Sequence, residues 1–291
     1  MTSPEFATAG RSLKRSPSSP RTLFSSAMTI LTFACAALAL IPLAAVTFYV
    51  LINGASRLTP SVFIELPPAP GLAGGGFGNA FVGTLLTVGI AALLAIPFGI
   101  IGAIYLSEFG RDTKLAETVS FLTNVLSGVP SIVIGAFAYA IVVLNTGTFS
   151  AVAGGFALGV LMLPTIVRTA AEALEAVPND FRQAAIGLGA SRIQTTLQIV
   201  LPAAIPAIVT GILLALARAA GETAPVLFTA SFNRFWNTTL WEPTATMSRL
   251  VFDFATSPFK AQQELAWAGS LVLVLLVLFT SIFSRMLIKR R

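Results

Sequence analysis

Histidine is absent from the 291 residues, which removes the commonest metal ligand and the commonest general base. The single cysteine, Cys35, lies inside an apolar run, so no intrachain disulfide framework exists. Charged residues make up only 10% of the chain, where a soluble domain needs about a quarter. That deficit excludes a soluble globular protein. No Gly-x4-Gly-Lys-Ser/Thr loop occurs, so nucleotide hydrolysis by the common route is excluded for this chain. No Cys/His cluster points to a metal or redox centre. An intramembrane hydrolase needs a nucleophile beside a base, and the spans offer neither pairing. A channel, a transporter subunit or a membrane scaffold remains.

What the chain has instead is apolar residues, 55% of the total, gathered in runs, with a mean hydropathy of +0.85. A bilayer core takes about 20 such residues per helix. Six spans are expected, at 28–52, 79–106, 119–144, 151–167, 203–220 and 266–288. An even number places both termini on one side. Arg11, Lys14, Arg15, Arg21, Arg111, Lys114, Arg168, Arg182, Arg192, Arg285, Lys289, Arg290 and Arg291 share one face, and Arg57, Arg218, Arg234, Arg249 and Lys260 the other. Thirteen against five puts both ends in the cytoplasm by the positive-inside rule. The net charge of +6 is therefore a statement about topology rather than about nucleic acid. Residues 1–27, rich in Ser, Pro and basic side chains, read as a disordered cytoplasmic tail. The apolar run that follows is too long for a cleaved signal and reads as a retained first helix. Residues 28–291 are then the membrane domain. Gly155 and Gly159 form a small-xxx-small pair suited to close helix packing.

The stretch between the fourth and fifth spans, 169–202, is too polar to cross a membrane. Pro178 is placed to open a short helix, and Gly187 and Gly189 to end it. Ser191 with Gln194 makes a capping box for a second short helix, and Pro202 is tolerated where the fifth span begins. The expectation is a helix–turn–helix knob at the membrane face. Its spacing, Gln183-Ala184-Ala185, three residues, Gly189, nine residues, Ile199, one residue, Leu201-Pro202, resembles the EAA loop of binding-protein-dependent ABC importer permeases. Gln183 stands where that family usually has glutamate. The resemblance covers about residues 75–288 and implies an all-α, six-span, type I (MetI-like) importer permease fold. It also implies that 169–202 docks into a cytoplasmic ATPase, where ATP and Mg are bound, this chain holding no cofactor of its own.

Charges within spans are functional hypotheses by default. Arg168 closes the fourth span. Arg218 lies about 17 residues into the fifth, with Glu222 four residues on and on the same face, where a structural ion pair is one reading. Two guanidinium groups hold a tetrahedral oxyanion bidentately, and a pairing carboxylate keeps the anion from being held too tightly. The run 216–230, LARAAGETAPVLFTA, and Leu163-Pro-Thr-Ile-Val-Arg168 are similar to the matching segments of phosphate transport permeases. The same holds, less specifically, for Gly78-Asn-Ala-Phe-Val-Gly-Thr84. The resemblance implies Arg168, Arg218 and Glu222 in a phosphate path. It implies a second permease, two ATP-binding subunits, an extracytoplasmic phosphate-binding protein, membrane lipid around the spans and a bacterial inner-membrane location, and no nucleic acid. A permease for sulfate or molybdate, a phosphate-signalling scaffold and a passive anion channel are the competing readings. The coupling loop argues against the last.

Overall fold

The structure is a computed structural model that describes residues 20–110 and 112–289, with side chains of the last three left aside. Contacts divide the chain into Met1–Tyr49 and Val50–Arg291. The described part of the first unit belongs to helix α1 (Pro20–Ala55), whose residues up to Tyr49 are almost all exposed. Helix therefore begins inside the stretch expected as tail; residues 1–19 of that tail, Arg11, Lys14 and Arg15 among them, fall outside the described residues. So do Arg111, Arg290 and Arg291.

The second unit is a helical bundle. Helix α2 (Gly78–Ile104) ends in a π-turn, Tyr105–Phe109. Helix α3 (Lys114–Gly128) starts under the Thr113 cap, whose hydroxyl accepts from the Ala116 amide. Helix α4 (Ser131–Ala138) follows it and continues through a second π-turn, Tyr139–Val143. The continuous third span expected at 119–144 is not formed. Pro130 has no amide to donate and forces Val129 into an extended conformation, so the two halves meet at a bend of 106°. Among the described residues, five helices are long and apolar enough to cross a membrane, or six if this bent pair counts as one span.

Helix α5 (Ala151–Glu175) overruns its expected end at residue 167 by two turns. Helix α6 (Asn179–Gly187) is the first half of the expected knob. The second half is not separate. Helix α7 starts at Arg192 under the Ser191–Gln194 capping box, passes a π-turn at Thr196–Val200 and runs on to Gly221. The expected short helix and fifth span are one rod: Pro202 has no amide to donate, and the π-turn just before it, closed from the Leu201 N–H to the Thr196 carbonyl, accommodates that gap in the ladder. A short helix α8 (Ala224–Thr229), an amphipathic α9 (Met247–Ala255) and the long α10 (Lys260–Lys289) complete the unit.

Small residues bring the rods together. A methyl group on Gly155 would stand 2.5 Å from Ile90 Cγ2, and one on Gly99 would stand 2.6 Å from Ile166 Cγ2, so α2 and α5 lie side by side and parallel. Gly155 and Gly159 thus pack helices within the chain. Buried apolar residues form three clusters along the bundle. One gathers Phe77, Met247, Leu250 and Leu265; one Ala91, Leu158, Met162, Ile166 and Ala215; one Ala103, Leu174, Val200 and Ile208.

Candidate anion path and coupling surface

Arg168 points out of α5 and pairs with Glu172 one turn on, Nε to Oε1 at 3.1 Å, and both side chains are about two-thirds exposed, at 67% and 64%. They line a 540 Å³ cavity whose other walls include Thr113, Glu117, Ser120 and Asn124. Glu172 was not singled out in the sequence, although its i,i+4 spacing is visible there.

Arg218 sits in the last turn of α7, where its charge also complements the helix dipole. The helix stops at Gly221, and Glu222 is already extended, yet its carboxylate reaches back to Arg218 Nε at 3.3 Å. Ser248 on α9 donates to the Glu222 carbonyl at 2.9 Å and fixes the point where the rod ends. Arg218 is 64% exposed while Glu222 is only 20% exposed, so the cation is the accessible member of the pair.

The two arginines are staggered. Gly211 on α7 packs against Thr169 on α5, a Cβ there falling 2.7 Å from Thr169 Cβ. The rods are antiparallel, so Arg168 is level with about residue 212, and six further residues to Arg218 span about 9 Å. Side chains in a helix lean towards its N-terminus. Along the bundle axis, Arg168 and Arg218 therefore lean towards the same level.

The coupling residues separate into a surface and an anchor. Gln183, Ala184 and Gly189 are exposed, Ala185 is buried at 5%, and Gly189 takes the left-handed conformation at φ 88°. Ile199 and Leu201 are half-buried and Pro202 is exposed on the π-turned entry of α7. Phe181, Ile186 and Leu188, unremarked in the sequence, are 56%, 57% and 90% exposed and make the knob apolar.

Residues 95–291 match the model of the family described as "Binding-protein-dependent transport system inner membrane component". The chain belongs to that family. It is a multi-pass inner-membrane permease subunit and not itself a catalyst. Among the family's members, "Phosphate transport system permease protein PstA" of Yersinia pestis is 42% identical over 84% of this chain and 83% of its own length. The protein of the same description from Pasteurella multocida is 39% identical over 91% of this chain and 94% of its own. The fold is shared with solved importers. A bacterial alginate ABC transporter chain superposes with a TM-score of 0.62 at 16% identity, over 91% of this chain and 95% of its own. The inward-facing MetNI methionine transporter gives 0.57 at 18% identity, over 73% and 92%.

Proposed function

We propose that this chain is a permease subunit of an ATP-driven phosphate importer and supplies half of its transmembrane path, Val50–Arg291 being the working unit and 169–202 its coupling loop. The observation that carries the reading is the pair of outward-pointing arginines, Arg168 and Arg218, each tied only to an i,i+4 carboxylate. An exposed pair of this kind is worth about 0.5 kcal/mol, so a multiply charged oxyanion displaces the carboxylate readily. The permeases of Yersinia pestis and Pasteurella multocida, matched over more than four-fifths of this chain, are phosphate transport proteins by description. Glu222 and Glu172 then act as resident counter-ions that hold each guanidinium between arrivals and limit how tightly phosphate stays.

The exposed face of α5 and α7 is completed by a second permease. The apolar tip of Phe181, Ile186 and Leu188 is seated in one of two ATP-binding subunits, which hold ATP and Mg. An extracytoplasmic binding protein delivers phosphate at the opposite end. The positive-inside count supports a cytoplasmic α6 knob and cytoplasmic termini. Arg249, counted on the other face, is already engaged by Asp253 at 2.8 Å.

Arg218→Gln tests the reading. In cells whose uptake depends on this chain, radiolabelled phosphate uptake should fall to background while the complex still assembles. Normal uptake by the assembled variant removes Arg218 from the path. Sulfate and molybdate, run in parallel, separate the oxyanions.

A further inference from the structure

One basic residue of the coupling loop does not behave like the arginines of the path. Arg182, on α6, is turned inward: its side chain is 13% exposed, and its partner Glu108, from the π-turn that ends α2, is 7% exposed. Nη2 donates to Glu108 Oε1 at 2.6 Å, and Nε to Oε1 and Oε2 at 3.2 and 3.3 Å. The same guanidinium donates to the Leu174 carbonyl at 2.8 Å and the Val177 carbonyl at 2.6 Å, at and just beyond the end of α5. One side chain thus joins three elements: the knob, the end of α2 and the end of α5.

Little else holds the knob from that side. Within α6 the only buried residue is Ala185, whose methyl group offers small apolar area. The π-turn matters as well, since its i→i+5 closure, Gly110 N–H to Tyr105 carbonyl at 2.6 Å, inserts a residue and re-aims the side chains by about 100°. Glu108 is thereby directed at the knob. Beside the pair lies a 410 Å³ cavity lined by Ser107, Ile186, Arg192 and Thr195, so α6 is not wedged against the bundle by packing on that side.

We infer that Glu108 and Arg182 are positioning residues of the transport cycle: their buried pair makes the knob, α2 and α5 move as one body, and so converts ATPase motion into displacement of Arg168. Arg168 lies six residues, about 9 Å, before Leu174 on the rod that Arg182 grips. Rigid-body transmission needs a contact without slack, and a multidentate buried guanidinium supplies one. The inference rests on the reading that α6 docks an ATPase subunit.

The test uses the whole transporter in liposomes, with Cys35→Ser as background and Glu108→Cys/Arg182→Cys introduced together. Removing both charges leaves neither one buried alone, and the adjoining cavity lets water reach the freed carbonyls. Basal ATP hydrolysis should stay within about twofold, while phosphate moved per ATP falls about tenfold. Bridging the two thiols with a bifunctional thiol reagent of salt-bridge length should restore phosphate per ATP. A pair that served folding alone would alter yield and leave that ratio unchanged. Wild-type stoichiometry without the bridge overturns the inference, as does a bridge that restores nothing. Failure of both this variant and Glu108→Gln to assemble also overturns it, by making the pair a requirement of assembly. Retention of the ATPase by the Cys35→Ser parent is measured in the same preparation. Its loss there strikes the docking reading, and its presence confines any failure to the pair.

Discussion

Arg218–Glu222 and Glu108–Arg182 are the same chemical pair put to opposite uses. The first joins residues four apart on one rod, leaves its arginine 64% exposed, and is one N–O contact of 3.3 Å. The second joins residues 74 apart, leaves its side chains only 13% and 7% exposed, and surrounds its guanidinium with acceptors at the ends of α2 and α5. Water, or an arriving anion, competes easily with the first and hardly at all with the second. The difference teaches where to look for chemistry and where to look for mechanics. An arginine that is weakly held is available to a ligand, whereas one that is fully engaged transmits force.

The sharpest way to break that distinction is to remove one partner of the enclosed pair and one of the other exposed i,i+4 pair, Arg168–Glu172, and compare stabilities. Glu108→Ala leaves a buried guanidinium facing no carboxylate, and such truncations are worth about 3–5 kcal/mol. Glu172→Ala removes the partner of a side chain that is already two-thirds exposed, and should change stability by about 0.5 kcal/mol or less. Thermal unfolding of the purified permease measures both. Equal losses would mean that the exposed pairs are structural after all, and would undo the assignment of Arg168 to the path.

A smaller effect is expected where the two path arginines are held in register. Gly211→Ala drives a methyl group into Thr169 on the neighbouring rod, and overpacking of this kind costs about 1–3 kcal/mol. The rods must part or slide, so phosphate uptake should fall with the stability. Gly221→Ala, three residues beyond Arg218, meets nothing within 4 Å and should leave both unchanged. If Gly211→Ala alters unfolding but not uptake, the 9 Å stagger is not a working distance.

These residues also show what the chain discloses locally. The spans were legible because a 10% charge content leaves no other solvent than lipid. The Ser191–Gln194 cap was legible because both of its hydrogen bonds close within four residues, at 2.8 and 3.3 Å. The Arg218–Glu222 pair was legible from helical spacing. The break at Pro130 was in plain view, but an average over an apolar run registers hydrophobicity and not a missing amide. The π-turns at Tyr105–Phe109 and Thr196–Val200 have no composition of their own. Without them the α7 entry reads as two helices, and Glu108 reads as one more interfacial charge. Its partner lies 74 residues away, a relation set by how the ends of α2 and α5 come together and invisible to any local pattern.

The mildest prediction concerns the end of the bundle opposite the knob, where a half-buried carboxylate is neither a path group nor a transmitter. Glu242 closes a turn by accepting from the Thr239 amide at 2.9 Å and from the Thr238 amide. These backbone donors, Thr239 first and Thr238 next, hold its carboxyl below the ordinary glutamate range. A carboxyl lowered on folding adds its share of order above its unfolded pKa, and that share is lost as pH falls through the folded value. The turn at 238–242 should therefore stay protected in hydrogen exchange at acidities where unpaired glutamates are already protonated, and loosen only below that. Glu242→Gln should remove the pH dependence and leave phosphate uptake at neutral pH untouched, because the side chain's hydrogen bonds stay within its own turn. A fall in uptake instead would mean that this turn is read by the protein delivering phosphate. The contrast between weakly and strongly held charges would then need a third class, charges that hold a loop in shape for a partner.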